Sequence, residues 1–191
     1  MPLLKVTFNR ILQAVFIAAI AVVVMSAQSA QPPISREYQI KAVFIFNFTR
    51  FVDWPPSAFP NASAPLVIGV LGENRFGSYL SETVADERVG GHPVLIQYYD
   101  HPEEIQNCHI LFIALPDPQK AEQVISAIKG KSMLTIGESP DFLKRGGMIK
   151  FFKRKKNIRF EINPAAAKSA NLILSSKLLR VADIFDPSKK S

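Results

Sequence analysis

One cysteine and three histidines in 191 residues leave little for metal, redox or nucleophilic chemistry. Cys108 has no mate, so no internal disulfide can brace the chain, and stability has to come from an apolar core. The readings left for Cys108 are an intermolecular disulfide or a buried thiol at a strand edge. His92, His101 and His109 are scattered. Cys108 and His109 are neighbours, and on a strand they point to opposite faces, so neither a zinc site with its four converging ligands nor a Cys–His nucleophile pair is expected. No G-x-S-x-G elbow exists, and Ser175–Ser176–Lys177 lacks a partner at hydrolase spacing. The chain also lacks an apolar run long enough for a membrane span of ~20 residues. The longest, "ILQAVFIAAIAVVVM" at residues 11–25, is too short.

That run follows Lys5 and Arg10 and leads into small polar residues, the pattern of a secretory signal. Residues 1–30 are therefore expected to be a cleaved signal peptide, cut between Ala27 and Ala30, with an uncleaved N-terminal anchor as the alternative. Their loss removes two cations and no acid, taking the formal charge from +7 to +5. This modest excess suits an acidic partner or an anionic surface. Export argues against nucleic acid. The whole chain is 48% hydrophobic, enough for one core. We expect a single domain over residues 31–186 and a short tail at 187–191.

Along the mature chain, "LVIGVLG", "HPVLIQYYD", "HILFIAL" and "SMLTIG" read as strands, the first and third as fully apolar ones. Helical patterns alternate with them: from Asn74, from Pro118 to a stop at Gly130, and a single turn from Ser139. "MIKFF" and "IRFEIN" flank "KRKKN" as an antiparallel hairpin, followed by a short helix at "PAAAKSA" and a last one from Ser175. This order predicts a three-layer α/β sandwich, a mostly parallel mixed sheet with a C-terminal antiparallel hairpin.

Residues 38–54, "YQIKAVFIFNFTRFVDW", concentrate aromatics unusually. The spacing predicts one helix from Ser35 to Trp54, stopped by Pro55–Pro56. At about 100° per residue, Ile40, Phe44, Ile45, Phe48, Phe51 and Val52 form a core face. Lys41 interrupts it and is expected to snorkel to water. Val43, Phe46 and Trp54 lie among polar residues, a second apolar strip suited either to an internal sandwich or to a protein interface. In the last helix, Lys177 and Arg180 are candidate exposed contacts beside Leu178 and Leu179. "GENRFG" follows the first strand, where an α/β protein binds small ligands. Gly72, Glu73, Asn74 and Arg75 are thus crevice candidates, although the spacing matches no dinucleotide or P-loop motif. No cofactor is expected. The basic hairpin tip, Lys153 to Lys156, is either a solvated turn or a contact for an acidic partner or phospholipid.

With these blocks in place, "YQIKAVFIFNFTRFVDWP", "PLVIGVLGENRFG", "CHILFIA", "GGMIKFF" and "IRFEINPAAAKSANLILSSKLLRVA" together resemble the YfiR-like family of exported proteins. The resemblance implies a periplasmic α/β domain that dimerises and has no catalytic role. It implies repression of an inner-membrane diguanylate cyclase through that enzyme's periplasmic domain, lowering cyclic-di-GMP and hence biofilm formation. An OmpA-type outer-membrane lipoprotein would relieve the repression. A small-ligand sensor module, partnered with a sensor kinase, is the alternative. Some relatives carry cysteine pairs; Cys108 has none, so redox control through an internal disulfide does not carry over.

Overall fold

The structure, a computed structural model, describes residues 34–188. Fifteen helices and strands follow in order: α1 Arg36–Phe48, β1 Val52–Asp53, β2 Leu66–Gly72, α2 Tyr79–Thr83, β3 Arg88–Val89, β4 His92–Tyr99, β5 Ile110–Ala114, α3 Pro118–Ala127, β6 Leu134–Gly137, β7 Ile149–Arg154, β8 Asn157–Ile162, α4 Pro164–Ser169, β9 Ile173–Leu174, α5 Ser176–Val181 and β10 Asp183–Ile184.

The two continuous apolar runs become neighbouring strands in the middle of an eight-stranded sheet, ordered β10-β8-β7-β6-β5-β2-β4-β3. β2 pairs in parallel with both β4 and β5, and β5-β6 and β6-β7 are also parallel. Strands buried on both faces need no polar alternation, which explains "LVIGVLG" and "ILFIA". The hairpin forms as the sequence predicts, with Arg154 opposite Asn157 and the turn at Lys155 and Lys156. The fold is the expected mostly parallel α/β sandwich.

Alternation along each strand sends side chains into two cores. Ile68, Val70, Ile110 and Phe112 face α1, α2 and the buried residues of α4 and α5. Leu71, Leu111 and Ile113 face α3 through Ala121, Val124 and Ile125. Asp117 caps α3 by accepting from the Gln119 N–H at 2.8 Å, and Pro118 fills the first turn. On the α3 side, Phe142 lies between two glycines. A Cβ on Gly137 would come within 2.4 Å of its ring, and one on Gly147 within 2.2 Å.

Several expected elements are shorter or different. α1 ends at Phe48 rather than Trp54. The Thr49, Arg50 and Phe51 N–H groups bond three residues back, to Phe46, Asn47 and Phe48, tightening the chain out of the helix. Trp54 precedes a proline, which favours extended backbone, and Val52–Asp53 instead pairs antiparallel with Ile173–Leu174. The helix expected from Asn74 starts at Tyr79. The Asn74 side chain accepts from the Phe76 N–H at 3.0 Å and donates to the Gly77 carbonyl at 3.2 Å, holding a turn instead. The segment after Ser139 is a series of turns rather than a helical turn. The last helix stops at Val181 because Ala182 is extended, and Asp183–Ile184 joins the sheet edge parallel to β8. The proposed signal peptide lies outside the described residues. Among the described residues, no helix is long and apolar enough to cross a membrane.

Candidate interaction surfaces and the strand-end crevice

Chain direction across the sheet reverses between β2 and β5, the place where open α/β sheets form a crevice beyond the carboxyl ends of their strands. The Gly72–Arg75 loop sits there. Gly72 has φ 91°, and a Cβ would stand 2.8 Å from the Ala114 carbonyl of β5, so the loop's first residue has to be glycine. Arg75 pairs with Glu73 at 2.6 Å and donates to the Tyr38 hydroxyl at 3.2 Å. Both ends of the Asn74 amide bond inside the loop. The loop's polar groups are thus engaged within the protein.

From Arg75 the network continues across the sheet end. The Tyr38 hydroxyl donates to Glu138 at 2.7 Å, Glu138 and Glu37 both pair with Lys41, and Glu37 also pairs with Lys153 of the hairpin. Lys41 is only 3% exposed. Its ammonium does not snorkel to water as the sequence suggests, because two carboxylates meet it inside. Burial pushes the Tyr38 phenol up to about 12. Burial would raise the Glu37 carboxyl, but hydrogen bonds from Lys153 and Lys41 outweigh it and hold the group below the usual carboxylate range. The Glu73 carboxylate, ahead of the Tyr38 contact, raises the Arg75 guanidinium. Tyr38, Lys41, Glu138 and Lys153 were not singled out together by the sequence. Their one legible signal is Lys41, a cation on a predicted core face, which demands buried anionic partners.

Cys108 and His109 occupy opposite faces at the entry to β5, as the alternation requires. Cys108 is buried, with its Sγ 3.0 Å from the Ile110 carbonyl, and burial pushes the thiol up to about 12. A buried, protonated thiol cannot reach a second chain without local opening. His109 is buried too. Its Nδ1 accepts from the Val67 N–H at 3.1 Å, which leaves the proton on Nε2, and burial pushes its pKa down to about 4. Phe59 stacks between it and His92, at ring separations of 4.3 and 3.9 Å. Among the described residues, no group of three or more His, Cys, Asp and Glu could hold a metal.

The five interface candidates separate by exposure. Phe46 is 7% exposed and belongs to the core on the α1 side. The wheel placed it among polar residues, but the shorter helix is buried along Lys41, Ala42, Ile45, Phe46 and Phe48. Trp54 is half-buried against the same core and donates its indole N–H to the His109 carbonyl at 3.2 Å. Neither is a free anchor. Val43 is 43% exposed, on an outer α1 strip with Arg36, Ile40 and Asn47, and Arg50 follows in the turn after the helix. Lys177 and Arg180 are exposed on α5, and Leu178 beside them is buried. The sequence reading missed the apolar companions of those cations: Ile173 is 67% and Val181 58% exposed, with Ile184 also outside. Exposed isoleucine and valine on short terminal elements give little periodicity from which to find them.

No curated protein matches the chain. A family model described as YfiR/HmsC-like matches residues 38–183, from the α1 tyrosine of the charge network to the first residue of β10. With that match covering most of the described residues, the chain belongs to the YfiR/HmsC-like family of periplasmic regulators.

Proposed function

We propose that this protein is a non-catalytic repressor that binds the periplasmic domain of an inner-membrane signalling enzyme, a diguanylate cyclase, and holds it inactive. Membership of the YfiR/HmsC-like family over residues 38–183 carries this reading. The surface chemistry supports it. Apolar side chains lie exposed beside cations at the C-terminal end, where Val181 and Ile173 accompany Lys177 and Arg180, and again on α1 at Val43. Apolar centres with a charged rim suit protein–protein contact.

The mechanism is linkage. A repressor lowers activity only by binding the inactive state of its client more tightly than the active one. An OmpA-type lipoprotein that takes the same or a coupled surface would reverse the effect. A homodimer would use one of the two strips and leave the other to the client. The test is co-purification of this protein with the cyclase's periplasmic domain. Native protein should bind, and Arg180→Glu should weaken binding at least tenfold while its melting temperature stays within 2 °C or so of native. Failure of the native proteins to associate would remove the repressor reading.

A further inference from the structure

The cavities differ in how their charges are used. The open cleft over β7 and β8 is lined by Lys41, Lys150, Arg154, Glu138, Glu161 and Asp183 among others. Its cations already have carboxylates: Lys150 meets Glu161 at 2.8 Å and Arg154 meets Asp183 at 2.6 Å. A ligand there would have to break those pairs. A second cavity, of about 390 Å³, lies at the other end of the sheet, where β6 and β7 begin. The end of α3, the turn at Gly130, the loop at Arg145 and Gly146, and α4 enclose it.

One part of its wall is apolar: Ile125, Ile128, Met133 and Met148 all line it, and all are buried, while Ser126, Thr135 and Ser169 add hydroxyls. Its charged lining residues are Lys129, Lys131 and Arg145, with no carboxylate among the lining residues. Lys129 and Lys131 have no ion-pair partner among the described residues. Arg145 pairs through Nη1 with Glu122, which stands outside the lining, and its buried Nε has no hydrogen-bond partner. A pocket of a few hundred cubic ångströms, mostly apolar with a few convergent polar groups, is the usual form of a small-molecule site. Two lysines without a counter-charge, beside an arginine whose Nε is unpartnered, fix the sign of the missing partner.

We propose that this cavity binds a small amphiphilic carboxylate. Its acyl or aryl body lies against Ile125, Ile128, Met133 and Met148, and its carboxylate is held by Lys129, Lys131 and Arg145. A neutral alcohol of the same length keeps the apolar contacts and loses the ionic ones. An amine of that length meets three like charges. The proposal does not depend on the client enzyme, because no lining residue belongs to α5 or to the outer strip of α1.

The experiment is isothermal titration of the purified protein with octanoate, octanol, octylamine and acetate at one salt concentration. Octanoate should bind saturably at one site per chain, octanol at least tenfold more weakly, and octylamine and acetate not measurably. Lys129→Glu/Lys131→Glu changes two exposed side chains, so its melting temperature should hold while octanoate affinity falls at least tenfold. Ser169→Trp, at an exposed position in the cavity lining, should abolish binding with the fold intact. Absence of saturable octanoate binding by the native protein overturns the proposal. Equal binding of octylamine, or undiminished binding by the charge-reversed variant, overturns it as well.

Discussion

Two buried polar residues behave differently because their surroundings differ. Lys41 keeps its charge company: Glu37 and Glu138 meet its ammonium, and both remain about a quarter exposed. Removing the cation leaves Glu138 with the Tyr38 hydroxyl and Glu37 with Lys153, so Lys41→Met should cost about 2 kcal/mol at pH 7, less than the ~3–5 typical of a fully buried pair. Urea unfolding of Lys41→Met should show that loss, and of Lys41→Met/Glu138→Gln a partial recovery; equal stability of all three proteins would contradict it. The held-down Glu37 contributes stability that is present above its unfolded value of 4.5 and is lost as pH falls through its lower folded value. His109 works in a higher window. Its folded pKa of about 4 lies below the unfolded 6.5, so the unfolded chain takes up the proton first as pH falls. Stability should fall by up to about 1.4 kcal/mol per pH unit between 6.5 and 4, and His109→Gln should flatten that slope. Unfolding curves at pH 7, 6, 5 and 4.5 measure it.

Among the elements, α1 has a buried and an exposed side within a few residues. Phe46 fills the core, and Phe46→Ala should destabilise by about 3–4 kcal/mol, measured by chemical denaturation. Val43→Glu, on the exposed strip, should leave stability within about 0.5 kcal/mol and impair partner binding. The slot around Phe142 makes a third prediction: Gly147→Ala drives a methyl into the ring and should cost about 2 kcal/mol or more. Legibility followed the same lines. β2, β5, α3 and the β7–β8 hairpin were readable because long runs, a Pro-led helix and a basic turn are local signals. The end of α1 was not, since residues 49–54 continue the apolar pattern and leave the helix only to pair with Ile173 and Leu174, more than a hundred residues later. β10 was lost for the same reason: two residues carry no periodicity, and only β8 makes them a strand. The crevice loop was found by its position after β2, whereas the network at its rim joins residues 37, 41, 138 and 153, a convergence that only the assembled sheet produces.

Over the whole molecule the charge is uneven. Residues 149–162 carry six of the 19 Lys and Arg in residues 34–188 and one of the 16 Asp and Glu, leaving 13 cations against 15 acids elsewhere. Lys155 sits at φ 56°, where glycine would be easier, so the turn keeps its charge despite a backbone cost of about 1 kcal/mol. Under the proposed function, such a tip would steer an acidic partner. Association with the client should slow about tenfold in Lys155→Glu/Lys156→Glu and lose much of its salt dependence, with stability unchanged; surface plasmon resonance at 50 and 500 mM NaCl reads this. The central claim is repression from the periplasm, and cellular cyclic-di-GMP tests it most directly. It should be measured in the source bacterium with the gene, without it, and with native, Arg180→Glu or signal-deleted copies restored. The account predicts a rise on deletion, full reversal by the native copy, and little or none by the other two. Unchanged cyclic-di-GMP on deletion, under growth conditions where the protein is made, would contradict it.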